Sequence, residues 1–271
     1  MKIFRNKDNL IREISGLKDL GFIPTMGGIH KGHLSLVNKA KRKSNKVLVS
    51  LYVNAKQFNS KKDFKKYPRN LKKDINLLKK KKIDYLYIPN DKDIHSFKTK
   101  KSIYLDKLSK KLCGRLRPGH FKAVVNVVNR FLEILKPKSI YLGMKDFQQL
   151  SLIKLHIVKK CIKTNLVACP TVRGNNGLAL STRNLKLKNK QIVKAGNIYT
   201  YLKKNKKLIL RKILNKKKKE IINKLIELGA CKIDYIECLN TKNFELCKSS
   251  KKNFNIFIAY YMNDVRLIDN L

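Results

Sequence analysis

Two histidines, His30 and His33, lie three residues apart in a glycine-rich stretch that reads PTMGGIHKGH. The apolar run before it predicts a strand over Gly21–Thr25, and the apolar spacing after it predicts a helix over His33–Lys43. Glycines let a ligand approach the backbone, and a helix N-terminus presents free N–H groups and positive potential to a phosphate. Both imidazoles should face one side of the first helical turn and donate to that phosphate.

The same HxxH spacing also occurs in metal sites, and a lone histidine is more often structural than functional. The sequence offers no third or fourth ligand at a suitable spacing, which argues against a metal held by protein side chains alone. We therefore predict that the histidine pair binds phosphate.

Two neutral amides, Asn54 and Gln57, directly follow a second predicted strand, Lys46–Val53. Such amides can orient a hydroxyl-bearing or carboxylate substrate without adding charge. A polar turn with no ligand is the alternative, and for this cluster taken alone it is favoured.

Cationic residues stand at the ends of three further predicted elements. Arg117, in RLRPGHF, could bind an anion at a helix entrance, although Pro-Gly also forms an ordinary turn that His120 could cap. Lys145, in GMKDFQQL, could reach a phosphate. Arg183, in GLALSTRN, could close over a polyphosphate with the hydroxyls and N–H groups of its loop. Each cluster is weak evidence alone, but together they predict a nucleotide site with cations on several loops.

The elements that must position these clusters alternate between strand and helix over the first two-thirds of the chain, which predicts a doubly wound parallel sheet of Rossmann-like α/β type. We expect a Rossmann-like domain at residues 1–172 and a smaller α+β domain at 173–271. Beyond those already given, the expected elements are strands Asp84–Ile88, Ser139–Leu142 and Asn165–Cys169; helices Asn70–Lys82, Phe121–Leu135 and Phe147–Lys160; and, in the second domain, helices at about 188–204 and 211–228 followed by strands Lys232–Leu239, Ile256–Tyr261 and Val265–Ile268.

The charge of the chain is extreme, since 64 Lys and Arg against 18 Asp and Glu give a formal net charge of +46 over 271 residues. The basic residues occur in every segment, whereas a selected nucleic-acid footprint would gather on one face. A lysine-rich coat produced by A/T-rich codon usage is our preferred account, and we expect no specific nucleic-acid partner.

The six cysteines form no CxxC pair, and no stretch has the length of a signal peptide or membrane span, so a cytoplasmic location without membrane association is expected.

In their order along the chain, these motifs resemble the pantoate–β-alanine ligase (pantothenate synthetase) family of the HxGH nucleotidylyltransferase superfamily. The resemblance runs from PTMGGIHKGH through VSLYVNAKQF, YPRNL, RPGHF, GMKDFQQL and LALSTRN to VRLIDN at residues 265–270. It implies an enzyme that condenses pantoate with β-alanine at the expense of ATP. Pantoate attacks the α-phosphate of Mg-ATP to give pantoyl adenylate and pyrophosphate, and the amine of β-alanine then displaces AMP.

The resemblance also implies roles for individual residues. His33 would donate a proton, with His30, Lys145 and Arg183 as its catalytic partners at the phosphates. Gln57 and Gln149 would contact pantoate or β-alanine, and Asn54 and Arg117 are secondary assignments to the same substrates. The ATP site would comprise Met26, Gly27, Gly28, Ile29, His30, Lys31, Gly32, His33, Gly143, Met144, Lys145, Asp146, Val172, Leu180, Ser181, Thr182 and Arg183. Mg²⁺ would be held mainly by the phosphates, with no metal ligand from the protein and no tightly bound organic cofactor, and the chain would form a homodimer.

Several positions depart from the family pattern. Cys113 stands where Glu is usual, Ala55 replaces a usual Pro, Leu180 a usual Met, and Asn175 and Asn176 occupy a stretch that more often carries an acid. None removes a residue assigned to chemistry. Two alternatives stay open: another adenylyl-transferring enzyme with a different acceptor, and an RNA-binding module, since class I tRNA synthetases share the HxGH signature. No residue in these motifs is an obvious base for the β-alanine amine.

Overall fold

The computed structural model describes residues 1–241, 244–247 and 254–271. The chain divides into two compact units, Met1–Thr171 and Val172–Leu271. Each unit has its own hydrophobic core.

The first unit is built on a six-stranded parallel sheet of order β1-β4-β3-β2-β5-β6. The strands are β1 (Lys2–Phe4), β2 (Leu20–Thr25), β3 (Lys46–Leu51), β4 (Tyr85–Tyr87), β5 (Ser139–Gly143) and β6 (Asn165–Cys169). Only the first residue of β3 is exposed, as expected for a central parallel strand covered on both faces. The sequence-based prediction of a doubly wound parallel sheet is confirmed.

Helices cover both faces of this sheet. They are α1 (Lys7–Ile14), α2 (Lys31–Lys41), α3 (Lys61–Lys65), α4 (Leu71–Lys80), α5 (Asp91–His95), α6 (Leu112–Leu116), α7 (His120–Leu135) and α8 (Phe147–Lys159). Successive strand residues point to opposite faces, so Phe22 and Leu48 join one buried cluster, which includes Phe131 of α7, while Ile23 and Val49 join the other. Because a buried cluster packs against each face of the sheet, the positions of the strand ends are fixed.

The described part of the second unit contains helices and an antiparallel sheet. The helices are α9 (Asn189–Lys204), α10 (Lys206–Leu214) and α11 (Lys218–Glu227), and the strands β7 (Lys232–Asn240), β8 (Phe254–Met262) and β9 (Val265–Asn270) pair in the order β7-β8-β9. The apolar residues retained between the lysines, such as Leu210 and Ile221, are fully buried. They make this lysine-rich stretch part of a packed domain.

The structure differs from the sequence-based expectation in several details, among them the short helices α3, α5 and α6, which were not predicted. The helix expected at 211–228 is two helices, because Lys216 adopts a left-handed conformation with φ +58° between α10 and α11. Strand β1 and helix α1 were not predicted, since three residues are too few for a periodic pattern and the surrounding stretch is highly charged. Helix α2 begins at Lys31, two residues before the predicted start, so His33 lies inside the first turn and His30 precedes it.

Candidate active site

Three neighbouring strand ends carry the clusters singled out in the sequence. Strand β2 pairs in parallel with β3 on one side and β5 on the other, so the carboxyl ends of all three lie at one edge of the sheet. The chain continues from β2 to β3 and β4 on one side, whereas β5 and β6 lie on the other. Ligands of open α/β sheets bind at such a switch point in strand order. The histidine loop follows β2, Asn54 and Gln57 follow β3, and Lys145 and Gln149 follow β5.

The loop between β2 and α2 contains two successive left-handed residues, Gly27 at φ +77° and Gly28 at φ +63°. Glycine adopts this conformation without the penalty that a side chain would bring. The resulting turn aims the N–H groups of Gly28 and Ile29 at the buried carboxylate of Asp74 on α4, which accepts both hydrogen bonds at 2.8 Å.

His30 and His33 are brought together by the start of α2, with ring centroids 4.1 Å apart. His30 Nδ1 accepts from the N–H of Gly32 at 3.0 Å, and His33 Nδ1 accepts from the N–H of His30 at 3.4 Å. A neutral imidazole that accepts at Nδ1 carries its proton on Nε2. Both side chains therefore present an Nε2–H donor, as the phosphate hypothesis requires.

The surroundings keep both imidazoles neutral. Burial, followed by the positive charge of Lys145, lowers the pKa of His30 to about 4. Burial, followed by the neighbouring His30, lowers the pKa of His33 to about 3, and Lys145 adds a smaller effect. Lys145 Nζ itself lies 3.4 Å from Oδ1 of Asp146, and its side chain is only 18% exposed. At neutral pH the cluster thus combines two uncharged donors with a cationic side chain.

The backbone of the loop is less available than the sequence indicated. We predicted that free N–H groups of this stretch would bind phosphate, yet Gly27 donates to Thr25 Oγ1 at 3.3 Å, Gly28 and Ile29 donate to Asp74, and Gly32 donates to His30. Protein acceptors thus occupy these four amides in the structure, and a contact between the backbone of this stretch and phosphate stays a prediction. Side chains are the better candidates for contacting phosphate oxygens.

The amide cluster after β3 is held by its own network. Asn54 is buried, and its Oδ1 accepts from the N–H of Lys56 while its Nδ2 donates to the carbonyl of Ala123 on α7. It therefore fixes the short 3₁₀ turn Ala55–Gln57 and anchors it to the sheet-covering helix.

Arg117 and His120 converge on the main-chain carbonyl of Gln57. Arg117 Nη2 donates to this oxygen at 3.0 Å, and His120 Nδ1 lies 2.8 Å from it. His120 Nε2 lies 3.2 Å from Arg117 Nη1, and a guanidinium nitrogen can only donate a hydrogen bond. The imidazole consequently accepts at Nε2 and donates at Nδ1. The guanidinium predicted to contact substrate is thus bonded to the backbone of another predicted substrate residue.

The two adjacent glutamines at the start of α8 differ in environment. Gln148 is buried and donates through Nε2 to the carbonyls of Leu108 and Lys111, while its Oε1 accepts from the N–H of Cys113 at 3.2 Å. Gln149, the predicted substrate residue, is only partly buried. The hydrogen bond from Cys113 to Gln148 is made by the main-chain N–H, so it does not involve the side chain at position 113.

The remaining predicted ATP residues lie in the second unit. Leu180 donates its N–H to the carbonyl of Val172 at 3.0 Å, and Ser181 Oγ accepts from the N–H of Arg183 at the start of a 3₁₀ helix, Thr182–Lys186. Between them, Arg173 makes a bidentate ion pair with Asp269 of the VRLIDN motif at 2.6 and 2.9 Å. That motif therefore supports the loop that carries Val172 and Leu180.

Sequence reasoning missed two residues that shape the first unit's site. Asp74 interrupts the buried face of a helix at the spacing of Leu71, Ile75 and Leu78, and a carboxylate on an apolar face was an available signal. Gln148 gave no signal beyond its position beside Gln149.

The fold is that of a Rossmann-like α/β enzyme, and a cluster of histidine, lysine and amide side chains follows the strand ends at its switch point. The chain belongs to the pantoate–β-alanine ligase family, whose model matches residues 2–271. This membership favours the ligase function over the RNA-binding alternative and over a different acceptor.

Several pantothenate synthetases match this chain over all or nearly all of its length. The pantothenate synthetase of Pseudothermotoga lettingae is 35% identical, over 100% of this chain and 98% of that protein, and that of Flavobacterium psychrophilum is 38% identical, over 94% and 92%. The crystal structure of the pantoate–β-alanine ligase from Francisella tularensis, complexed with beta-gamma ATP and β-alanine, is similar with a TM-score of 0.83 at 37% identity, covering 100% of this chain and 97% of that one. A pantothenate synthetase from Thermus thermophilus gives a TM-score of 0.85 at 29% identity, covering 100% and 99%.

Proposed function

We propose that this chain joins pantoate to β-alanine at the expense of ATP through a pantoyl-adenylate intermediate, and that His30, His33 and Lys145 bind the phosphates. The observation that carries the proposal is the neutral imidazole pair together with the partly buried Lys145 at the switch point of the sheet. The complex of the Francisella relative with beta-gamma ATP and β-alanine supports the same substrates here.

In the first step a pantoate carboxylate oxygen attacks the α-phosphorus of ATP, and the bond to the bridging oxygen breaks to release pyrophosphate. Two anions must approach each other, so catalysis depends on positioning and on stabilising the phosphoryl oxygens. The Nε2–H groups of His30 and His33 donate to these oxygens, and Lys145 supplies positive charge. The neutral His33 ring donates its Nε2–H hydrogen bond to the leaving pyrophosphate and keeps its proton, so the pyrophosphate departs as an anion.

In the second step the free amine of β-alanine attacks the acyl carbon of the adenylate, the bond to the phosphate oxygen breaks, and AMP leaves. In forming the amide the amine loses one proton, which passes to the phosphate of the departing AMP or to solvent. Gln57 and Gln149 orient the two small substrates by hydrogen bonds. Asn54 and Arg117 act on the same substrates through the turn that carries Gln57, because their side chains bond to that turn.

Mg²⁺ enters as part of the Mg-ATP substrate in this proposal. Both oxygens of Asp74 accept backbone N–H groups, and among the residues the structure describes there is no cluster of three His, Cys, Asp or Glu able to hold a metal. The side chain of Asp146 is 47% exposed and lies 3.4 Å from Lys145 Nζ, and its charge acts on both imidazoles. Such a donor set fits an ion held mainly by phosphate oxygens, which neutralises charge on the leaving pyrophosphate.

The residues of the second unit complete the ATP site in our proposal. Val172, Leu180, Ser181, Thr182 and Arg183 bind the nucleotide, and the unit acts as a lid that protects the water-labile adenylate. Gly143 and Met144 line the nucleotide in the first unit. A homodimer and a cytoplasmic location stay predictions, the first testable by sedimentation of the purified chain; among the described residues no helix is long and apolar enough to cross a membrane.

The test is a substrate-omission assay on the purified chain with ATP, Mg²⁺, D-pantoate and β-alanine. We expect AMP to form only when both acids are present, and labelled pyrophosphate to exchange into ATP with pantoate alone. Exchange that proceeds without pantoate, or AMP release with a different acid in its place, would overturn the substrate assignment.

A further inference from the structure

Asp74 is a buried acidic residue that the proposed reaction does not use. Its side chain is 3% exposed on α4, in a chain with far fewer acids than bases. The two carboxylate oxygens are divided between neighbouring amides, since Oδ2 accepts from Gly28 and Oδ1 from Ile29, each at 2.8 Å. Hydrogen bonds to a charged acceptor are stronger than those between neutral groups.

Besides Asp74, the N–H of Gly27, which donates to Thr25 Oγ1, and the buried side chain of Ile29 hold this loop. Gly27 and Gly28 have no side chains to pack, and left-handed glycines gain more conformational freedom than other residues when released. A β-carbon at Gly27 would lie 3.0 Å from Asp74 Oδ2, so loop and carboxylate are in close contact. The next residue along the chain is His30, whose own N–H bonds to His33 Nδ1.

We propose that Asp74 is a positioning residue, which acts through the Gly28–Ile29 backbone to set the orientation and the tautomer of the imidazole pair. The carboxylate fixes the two amides, the amides fix the backbone at His30, and the N–H of His30 then holds the His33 ring with its proton on Nε2. The inference rests on the proposed role of the histidines, but the link from Asp74 to the tautomer is independent of it.

The substitution Asp74→Asn tests this link at nearly constant volume. An asparagine accepts at one oxygen only, and its NH₂ would face an N–H of the loop, so one hydrogen bond is lost and two donors oppose each other. Asn70→Ala is the matched control, since Asn70 caps the same helix by accepting from the N–H of Lys73 and has no bond to the loop. Both variants should lower the stability of α4.

Two measurements separate positioning from stability. In pantoate-dependent ATP–pyrophosphate exchange, we expect Asp74→Asn to lower kcat by roughly 10²-fold, the typical effect of a misplacement of about 1 Å, and Asn70→Ala to stay within about twofold. In ¹⁵N spectra of labelled histidine, the signals of His30 and His33 should report Nε2–H tautomers in the unaltered chain and in Asn70→Ala, but mixed tautomers in Asp74→Asn.

Unaltered exchange together with unaltered histidine signals in a folded Asp74→Asn protein would overturn the proposal. If that variant does not fold, Asp74→Glu replaces it, because it keeps both acceptor oxygens but displaces them by one methylene, and the same two outcomes apply. Should the unaltered chain show no exchange, the proposed function fails; the histidine spectra still decide whether Asp74 sets the tautomer.

Discussion

Acid should destabilise the folded chain through its imidazole pair, and replacing His33 should remove a measurable part of that effect. Burial lowers the pKa of His33 from 6.5 to about 3 in the folded state. Between these values the unfolded chain binds a proton that the folded chain excludes, so stability present above pH 6.5 is lost as the pH falls. From pH 6.5 to pH 5, about 1.5 pH units at 1.36 kcal/mol each, the loss is about 2 kcal/mol from His33 alone.

The assay is urea unfolding at pH 7 and at pH 5, for the unaltered chain and for His33→Asn. Asparagine is chosen because its Oδ1 can still accept from the N–H of His30, while the side chain does not titrate. The free energy of unfolding should fall between the two pH values by about 2 kcal/mol less in the variant. His30 and His156, whose pKa values are each lowered to about 4, contribute to the fall in both proteins, so the difference reports His33. An equal fall in the two proteins would refute the neutral state assigned to this imidazole.

Three further predictions concern activity. His33→Ala should leave the thermal unfolding curve cooperative but cost roughly 2–4 kcal/mol of transition-state stabilisation in pantoate-dependent exchange; full exchange would contradict its role. Gln149→Ala should raise KM for pantoate more than KM for ATP, whereas the neighbouring Gln148→Ala should lower the melting temperature instead, because it breaks three buried hydrogen bonds; equal KM effects for both substrates would exclude a pantoate contact by Gln149. His120→Ala should raise KM for pantoate or β-alanine with little change in KM for ATP, since it removes one of the two hydrogen bonds to the carbonyl of Gln57 and the contact that His120 makes with Arg117; unchanged KM values for both acids would show that the bond from Arg117 is sufficient.

Much of the candidate site follows from local patterns in the chain. The apolar run 46–53 predicts a strand of a parallel sheet, because burial on both faces requires apolar residues throughout the strand. The helical spacing around Val124 and Val128 predicts a helix between strands, and this alternation is typical of a parallel sheet. Glycines, imidazoles and amides placed directly after those runs predict a site at the strand ends. These are properties of neighbouring residues, which the order of amino acids records directly.

Other features arise only when distant segments meet. Asp74 lies 46 residues from Gly28 and occupies amides that the sequence alone leaves free for phosphate. Arg117, 60 residues from Gln57, turns out to bond to that residue's carbonyl, so an apparent ligand-binding guanidinium supports the backbone. The low pKa values of His30 and His33 likewise need the burial and the nearby Lys145 charge that folding creates.

The amino-acid order by itself determined the alternation of strands and helices, the family to which the chain belongs and the loops that bear the polar clusters, because these depend on residue type and short-range spacing. Tertiary structure alone decided which hydrogen-bond donors remain available, which imidazole nitrogen carries the proton and which acidic residue holds the loop. Those outcomes depend on desolvation and on partners far apart in the chain, and neither exists before the sheet assembles.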